Sequence, residues 1–173
     1  QLPYGLGLDR RSRSARELRA ALSGNYEQGV FGLMYGGYIR HFVDADEQEI
    51  DFDDRVEGAI SIRPMLIMGV FTPAVEVSYQ VSRPNGINPR TEKQETAKIL
   101  QLGFMPALTL STSQNGQPRG TYDRPQIRAI AAVSFLNQAA MDLYPLNDPR
   151  SRIAEAWFVG LGAEWWFGRG GKY

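Results

Sequence analysis

Six charged side chains, Glu57, Arg63, Glu76, Arg124, Arg128 and Glu164, stand at alternate positions of runs whose intervening positions are mostly apolar. A carboxylate offers acceptors and a guanidinium offers a fixed fork of donors, so such a lining can orient water and hydrogen-bond the hydroxyls of a neutral solute. The same charges can equally pair with one another and stiffen a wall. Neither use breaks a covalent bond. The single histidine, His41, and the absence of cysteine leave no catalytic triad, thiolate nucleophile or imidazole-thiolate metal cage. The chain therefore reads as a non-enzyme with no cofactor and no metal. The acidic run DADEQEIDFDD (44–54) lacks the mid-loop glycine and ligand spacing of a calcium hand, and a solvated loop accounts for it. No phosphate-binding GxxxxGK[ST] is present.

The elements that must carry these charges are strands, because successive side chains of a strand point to opposite faces. In WFVGLGAEWWF (157–167) the odd positions Trp157, Val159, Leu161, Ala163, Trp165 and Phe167 are all apolar, while Gly160, Gly162 and Glu164 share the other parity with Phe158 and Trp166. AVEVSYQVS sets Val75, Val77, Tyr79 and Val81 against Glu76, Ser78, Gln80 and Ser82. VEGAISIRPMLIM sets Val56, Ile60, Ile62 and Leu66 against Glu57, Ser61 and Arg63, and VFGLMYGGYIRHF sets Phe31, Leu33, Tyr35 and Ile39 against Met34, Tyr38 and Arg40. KILQLGFMPALTL and RPQIRAIAAVSF continue the pattern. The opening SARELRAAL fits either a short amphipathic helix or a first strand ending near Tyr26, and a strand is the expectation taken forward. The fold class predicted is all-β, an antiparallel transmembrane β-barrel portion of about seven strands.

Connectors have their own rhythm. Short turns at NYEQ and MGVFTP alternate with long polar loops at VDADEQEIDFDD and SRPNGINPRTEKQET. SQNGQPRGTYD is of medium length and NQAAMDLYPLNDPRSR is again long. Short turns at one end and long loops at the other suit a barrel of the bacterial outer membrane. No run of eighteen apolar residues exists to make a transmembrane helix. Nineteen basic residues balance nineteen acidic ones, and RRSR (10–13) has no interleaved aromatics, so nucleic acid is not an expected partner. Residues 1–173 read as one domain with a polar tail, 168–173. An odd count of seven strands, with the last ending at the short-turn side, implies strands upstream of Gln1. The alternative is a complete eight-stranded barrel with one strand hidden.

IRPM (62–65), TYDRPQIR (121–128) and AWFVGLGAEWWF (156–167) resemble, in matching order, the closing strands of the maltoporins, the sugar-specific porins. That resemblance implies the C-terminal part of an 18-stranded barrel, a homotrimer in the bacterial outer membrane that passes ions and maltodextrin-like oligosaccharides by facilitated diffusion. It also implies a lumen slide of aromatics, onto which Tyr122 and Trp166 map. Parity puts Tyr122 with Arg124 and Trp166 with Glu164. Pyranose CH faces stack on such rings while rim hydroxyls seek donors and acceptors. An inward Trp166 can also simply fill space. Trp157, Trp165 and Phe167 fall on the opposite parity and suit a membrane-interface girdle facing outer-membrane lipid. The chain departs from the family in its length, in Tyr rather than Trp at 122, and in the GRGGKY that follows Phe167.

Two other functions compete. A structural or anchoring outer-membrane barrel would have an interior filled by side chains and no transport activity. A soluble β-domain would bind sugar on an aromatic face.

Overall fold

The computed structural model describes residues 15–43, 54–88, 90–110 and 125–165. Among them the chain is all-β, with nine antiparallel strands in one sheet: β1 (Arg16–Gln28), β2 (Phe31–Val43), β3 (Arg55–Leu66), β4 (Phe71–Thr72), β5 (Val75–Pro84), β6 (Ala97–Phe104), β7 (Ala107–Thr109), β8 (Gln126–Leu136) and β9 (Glu155–Glu164). The nine reduce to seven ribbons in simple up-and-down order. Strands β4 and β5 form one ribbon interrupted at Pro73, and β6 and β7 form the next, interrupted at Pro106. A proline has no N–H to give the ladder but still accepts. Accordingly the Pro73 carbonyl takes the Leu66 N–H at 3.0 Å, and the Pro106 carbonyl takes the Ala129 N–H at 3.0 Å. Between the two breaks, Ala74 and Met105 exchange backbone hydrogen bonds of 3.3 and 2.8 Å. The opening stretch is strand rather than helix, paired with β2 over its whole length.

Register carries the apolar parity of every ribbon onto one face. Gly24, Tyr35, Ile62, Val77, Leu102, Val133 and Trp157 lie opposite one another in turn across all seven ribbons. One residue along, on the other face, Ser23, Gly36, Ser61, Ser78, Gln101, Ser134 and Ala156 make a parallel row. Exposure runs against the pattern of a water-soluble sheet. Ile62 and Val77 are 45% and 43% exposed and Leu161 is 85% exposed, whereas Ser78 is 8%, Gln126 5% and Thr109 2% exposed. The sheet curls with its polar face inside.

Two hairpins share a Gly-Val-Phe sequence. Gly29 and Gly69 have φ of +60° and +61°, and the valine after each keeps a negative φ, which fits a two-residue hairpin with glycine at its first central position. The second closes through Met68 N to Phe71 O at 2.9 Å and Phe71 N to Met68 O at 3.1 Å. The first reversal thus falls at Gly29–Val30. The sequence reading placed it at NYEQ, but Asn25–Gln28 are ladder residues of β1, and only the glycine supplies the positive φ.

The sheet is not closed. Among the described residues β1 pairs only with β2, and β9 only with β8. No helix among the described residues is long and apolar enough to cross a membrane, which says nothing about crossing by strands.

Candidate functional site

Among the described residues the polar face holds an Arg19–Glu17 pair on β1, at 2.6 Å, and three further ion-pair groups. At its short-turn end Arg63 of β3 donates through Nε to Glu76 of β5 at 2.8 Å, and through Nη2 to the same oxygen. Toward the same end, with the β6–β7 ribbon between, Arg128 of β8 reaches Glu164 of β9 at 2.5 Å, while its Nε donates to Gln126 at 2.6 Å. Gln126, buried, donates in turn to the Thr109 hydroxyl at 3.2 Å. At the long-loop end Glu57 accepts from Arg40 Nε at 2.7 Å and also pairs with Arg55. Glu57 and Arg63 lie six residues apart on β3, roughly 20 Å at the strand rise, so the charges form separate clusters. Each of Arg63, Arg128, Glu57, Glu76 and Glu164 is therefore engaged in a cross-strand pair, while Arg124, Tyr122, Trp166 and Phe167 lie outside the described residues. Trp157 and Trp165 stand on the apolar face, 73% and 60% exposed.

The polar face is not polar throughout. Between the Gly-Val-Phe turns and the Arg63–Glu76 pair, Met65, Ile67 and Ala74 are buried together, with Met34 and Met105 packed against them. The turns meet here, since Ile67 N donates to Val30 O at 2.7 Å.

At the opposite end the connection between β8 and β9 folds over the curl of the sheet. It begins with a four-residue helix, α1 (Gln138–Met141), and includes a 3₁₀ turn at Pro149–Ser151. Asn137 pins it. Its Oδ1 accepts from Lys98 N at 2.9 Å and Ala140 N at 3.0 Å, and its Nδ2 donates to Thr96 O at 2.9 Å. Ala139 and Ala140 then bury against Ala97 of β6. From the β5–β6 connection, Arg90 donates to Asp142 at 2.8 Å. Farther along, Asp148 caps the 3₁₀ turn by accepting from Arg150 N at 2.9 Å, and the Arg150 guanidinium lies 4.4 Å from the Tyr144 ring centre. The Arg150 side chain, followed by its backbone N–H, holds the Asp148 carboxyl below its ordinary value.

A cavity of about 840 Å³ lies between this connection and the polar face of β2, β3, β5 and β6. Phe42 forms a buried part of its wall, with the guanidiniums of Arg55 and Arg40 at 4.4 and 5.0 Å from its ring centre, and Arg40 lies 5.4 Å from that of Tyr38. Four cationic side chains line the cavity (Arg40, Arg55, Lys93, Arg150) and four carboxylates oppose them (Glu57, Glu95, Asp142, Asp148). Sequence reasoning put Tyr38 and Arg40 on the polar face without assigning them to a site. It missed Arg55, one position before the recognised alternation, and Tyr144 and Arg150, whose connection has no strand period to mark a face. No group of three or more potential metal ligands occurs among the described residues.

No family model matches the chain, and neither a curated protein nor a solved structure matches it.

Proposed function

We propose that the chain is the C-terminal part of an outer-membrane porin that passes maltodextrin-like sugars by facilitated diffusion, with Tyr122 and Trp166 as the aromatic slide and the charged face as the lumen. The observation that carries this reading is the inversion of faces: one register lines up the apolar parity of seven ribbons, exposed at Tyr35, Ile62, Val77, Leu102 and Trp157, while Ser78, Thr109 and Gln126 of the central ribbons are buried on the polar face behind it. Water penalises such an outer face by roughly 25 cal/mol for each Å² of apolar surface it must hydrate, and lipid does not. Trp157 and Trp165 add to it. They stand eight residues apart on the exposed face, about 26 Å along a strand, close to the roughly 25 Å apolar band of outer-membrane barrels with its two aromatic girdles. The unpaired outer edges of β1 and β9 leave room for the additional strands and for homotrimer contacts that the reading requires.

A structural barrel without transport is the second reading, favoured by the Met34, Met65 and Met105 cluster on the inner face and by the mutual pairing of the inner charges. Planar-bilayer conductance of the full-length product separates the two. Transport predicts an ohmic current that maltotriose blocks, with block weakened by Trp166→Ala and Tyr122→Ala. A silent membrane from correctly inserted protein contradicts it.

A further inference from the structure

The cavity at the long-loop end adjoins residues that the slide does not use, and its chemistry specifies a ligand class. We propose that it is a separate binding site for a short neutral oligosaccharide, seated between the polar face of β2 and β5 and the β8–β9 connection. The proposal deepens the porin reading of the same face and rests on it.

Three features select the ligand. The charged lining balances at four against four, so an ion of either sign gains no net attraction, whereas a neutral molecule with many hydroxyls meets donors and acceptors on every side. Tyr38 and Tyr144 supply rings from opposite walls, one from the sheet and one from the connection. A pyranose offers CH faces to rings and hydroxyls to the rim, the combination these walls require. Finally, the exposed Gln80 side-chain amide takes no hydrogen bond from the described residues, and its two donors and one acceptor are available in the wall. About 840 Å³ lies within the range of small-ligand pockets and accommodates a few sugar rings.

The connection is already fixed by Asn137 and by the Arg90–Asp142 pair, so the site needs no closing motion to assemble. With no closing motion to gate entry or exit, exchange is fast, which suits an entry station.

The test places an environment-sensitive fluorophore at Leu146→Cys, on the connection but outside the cavity lining, in the full-length protein purified in detergent, and titrates maltotriose. The expected result is a saturable response whose midpoint rises about three- to tenfold in Tyr38→Ala and in Gln80→Ala, the range one lost stacking or hydrogen-bonding contact gives. Trp166→Ala and Tyr122→Ala should leave that midpoint in place. A midpoint moved by the slide variants and untouched by Tyr38→Ala and Gln80→Ala would overturn the proposal. So would glucose 6-phosphate binding ten times more tightly than maltotriose, since a preferred anion contradicts the neutral class. No fluorophore response, while maltotriose still blocks the current, overturns the mouth site alone. No response together with no block removes the sugar-porin reading as well.

Discussion

Val77 and Ser78 are neighbours on β5 and face opposite ways, the valine 43% exposed and the serine 8%. The same reversal is repeated across the sheet through Leu102 and Gln101 on β6, and Ile62 and Ser61 on β3. An apolar face turned to the surroundings is stable where those surroundings are hydrocarbon.

Val77→Lys should therefore weaken folding into lipid vesicles by about 2–4 kcal/mol, the cost of a cation near the bilayer midplane. Ser78→Ala should change it by less than about 0.5 kcal/mol. Urea titration of the vesicle-inserted protein measures both. Equal tolerance of the two substitutions would remove the lipid-facing assignment.

Gly69 holds φ at +61° with open space around it, so its need is conformational rather than steric. Gly69→Ala should cost about 1–2 kcal/mol through the left-handed penalty. Gly162→Ala, also in open space but without a positive φ, should be neutral or slightly stabilising. Thermal unfolding in detergent distinguishes the two variants.

The Glu76 carboxylate pairs with Arg63 on the inner face. Glu76→Gln leaves the guanidinium charge uncompensated, and a conducting pore should shift toward anions. Reversal potentials across a KCl gradient report the shift. An unchanged potential would mean that permeating ions do not pass this pair.

Asp148 gives the β8–β9 connection a pH dependence of known sign. Its carboxyl titrates lower in the folded chain than its ordinary value of 3.8, because Arg150 favours the charged form. Its contribution is thus complete above the ordinary value and is lost as pH falls through the depressed folded one. Protease resistance of the connection should hold from neutral pH down through mild acidity and fall only below the ordinary value. Asp148→Asn should lower resistance already at neutral pH, and a loss near neutrality in the unsubstituted chain would contradict the assignment.

Strand direction and facing were legible from the sequence because they depend on a two-residue period and nothing else. AVEVSYQVS announces both faces of β5 without any knowledge of its neighbours. The fifth ribbon looked blurred for a physical reason: Pro106 breaks its ladder, so KILQLGFMPALTL divides into β6 and β7. Pairings such as Arg63 with Glu76 needed register, which the turn geometry sets and composition does not reveal. The Tyr144 and Arg150 wall of the cavity was not legible, since a connection held by Asn137 and two buried alanines has no repeating pattern to read.

Labelling the two faces of β5 tests the central claim most directly, and the absence of cysteine from this chain keeps each label unique within it. Nitroxide labels at Val77→Cys and Ser78→Cys, with the protein in lipid vesicles, can be compared for collision with oxygen, which partitions into hydrocarbon, and with a water-soluble nickel chelate. The account predicts that the label at 77 meets oxygen and the label at 78 meets the chelate. Chelate access at 77 with exclusion at 78 would contradict it.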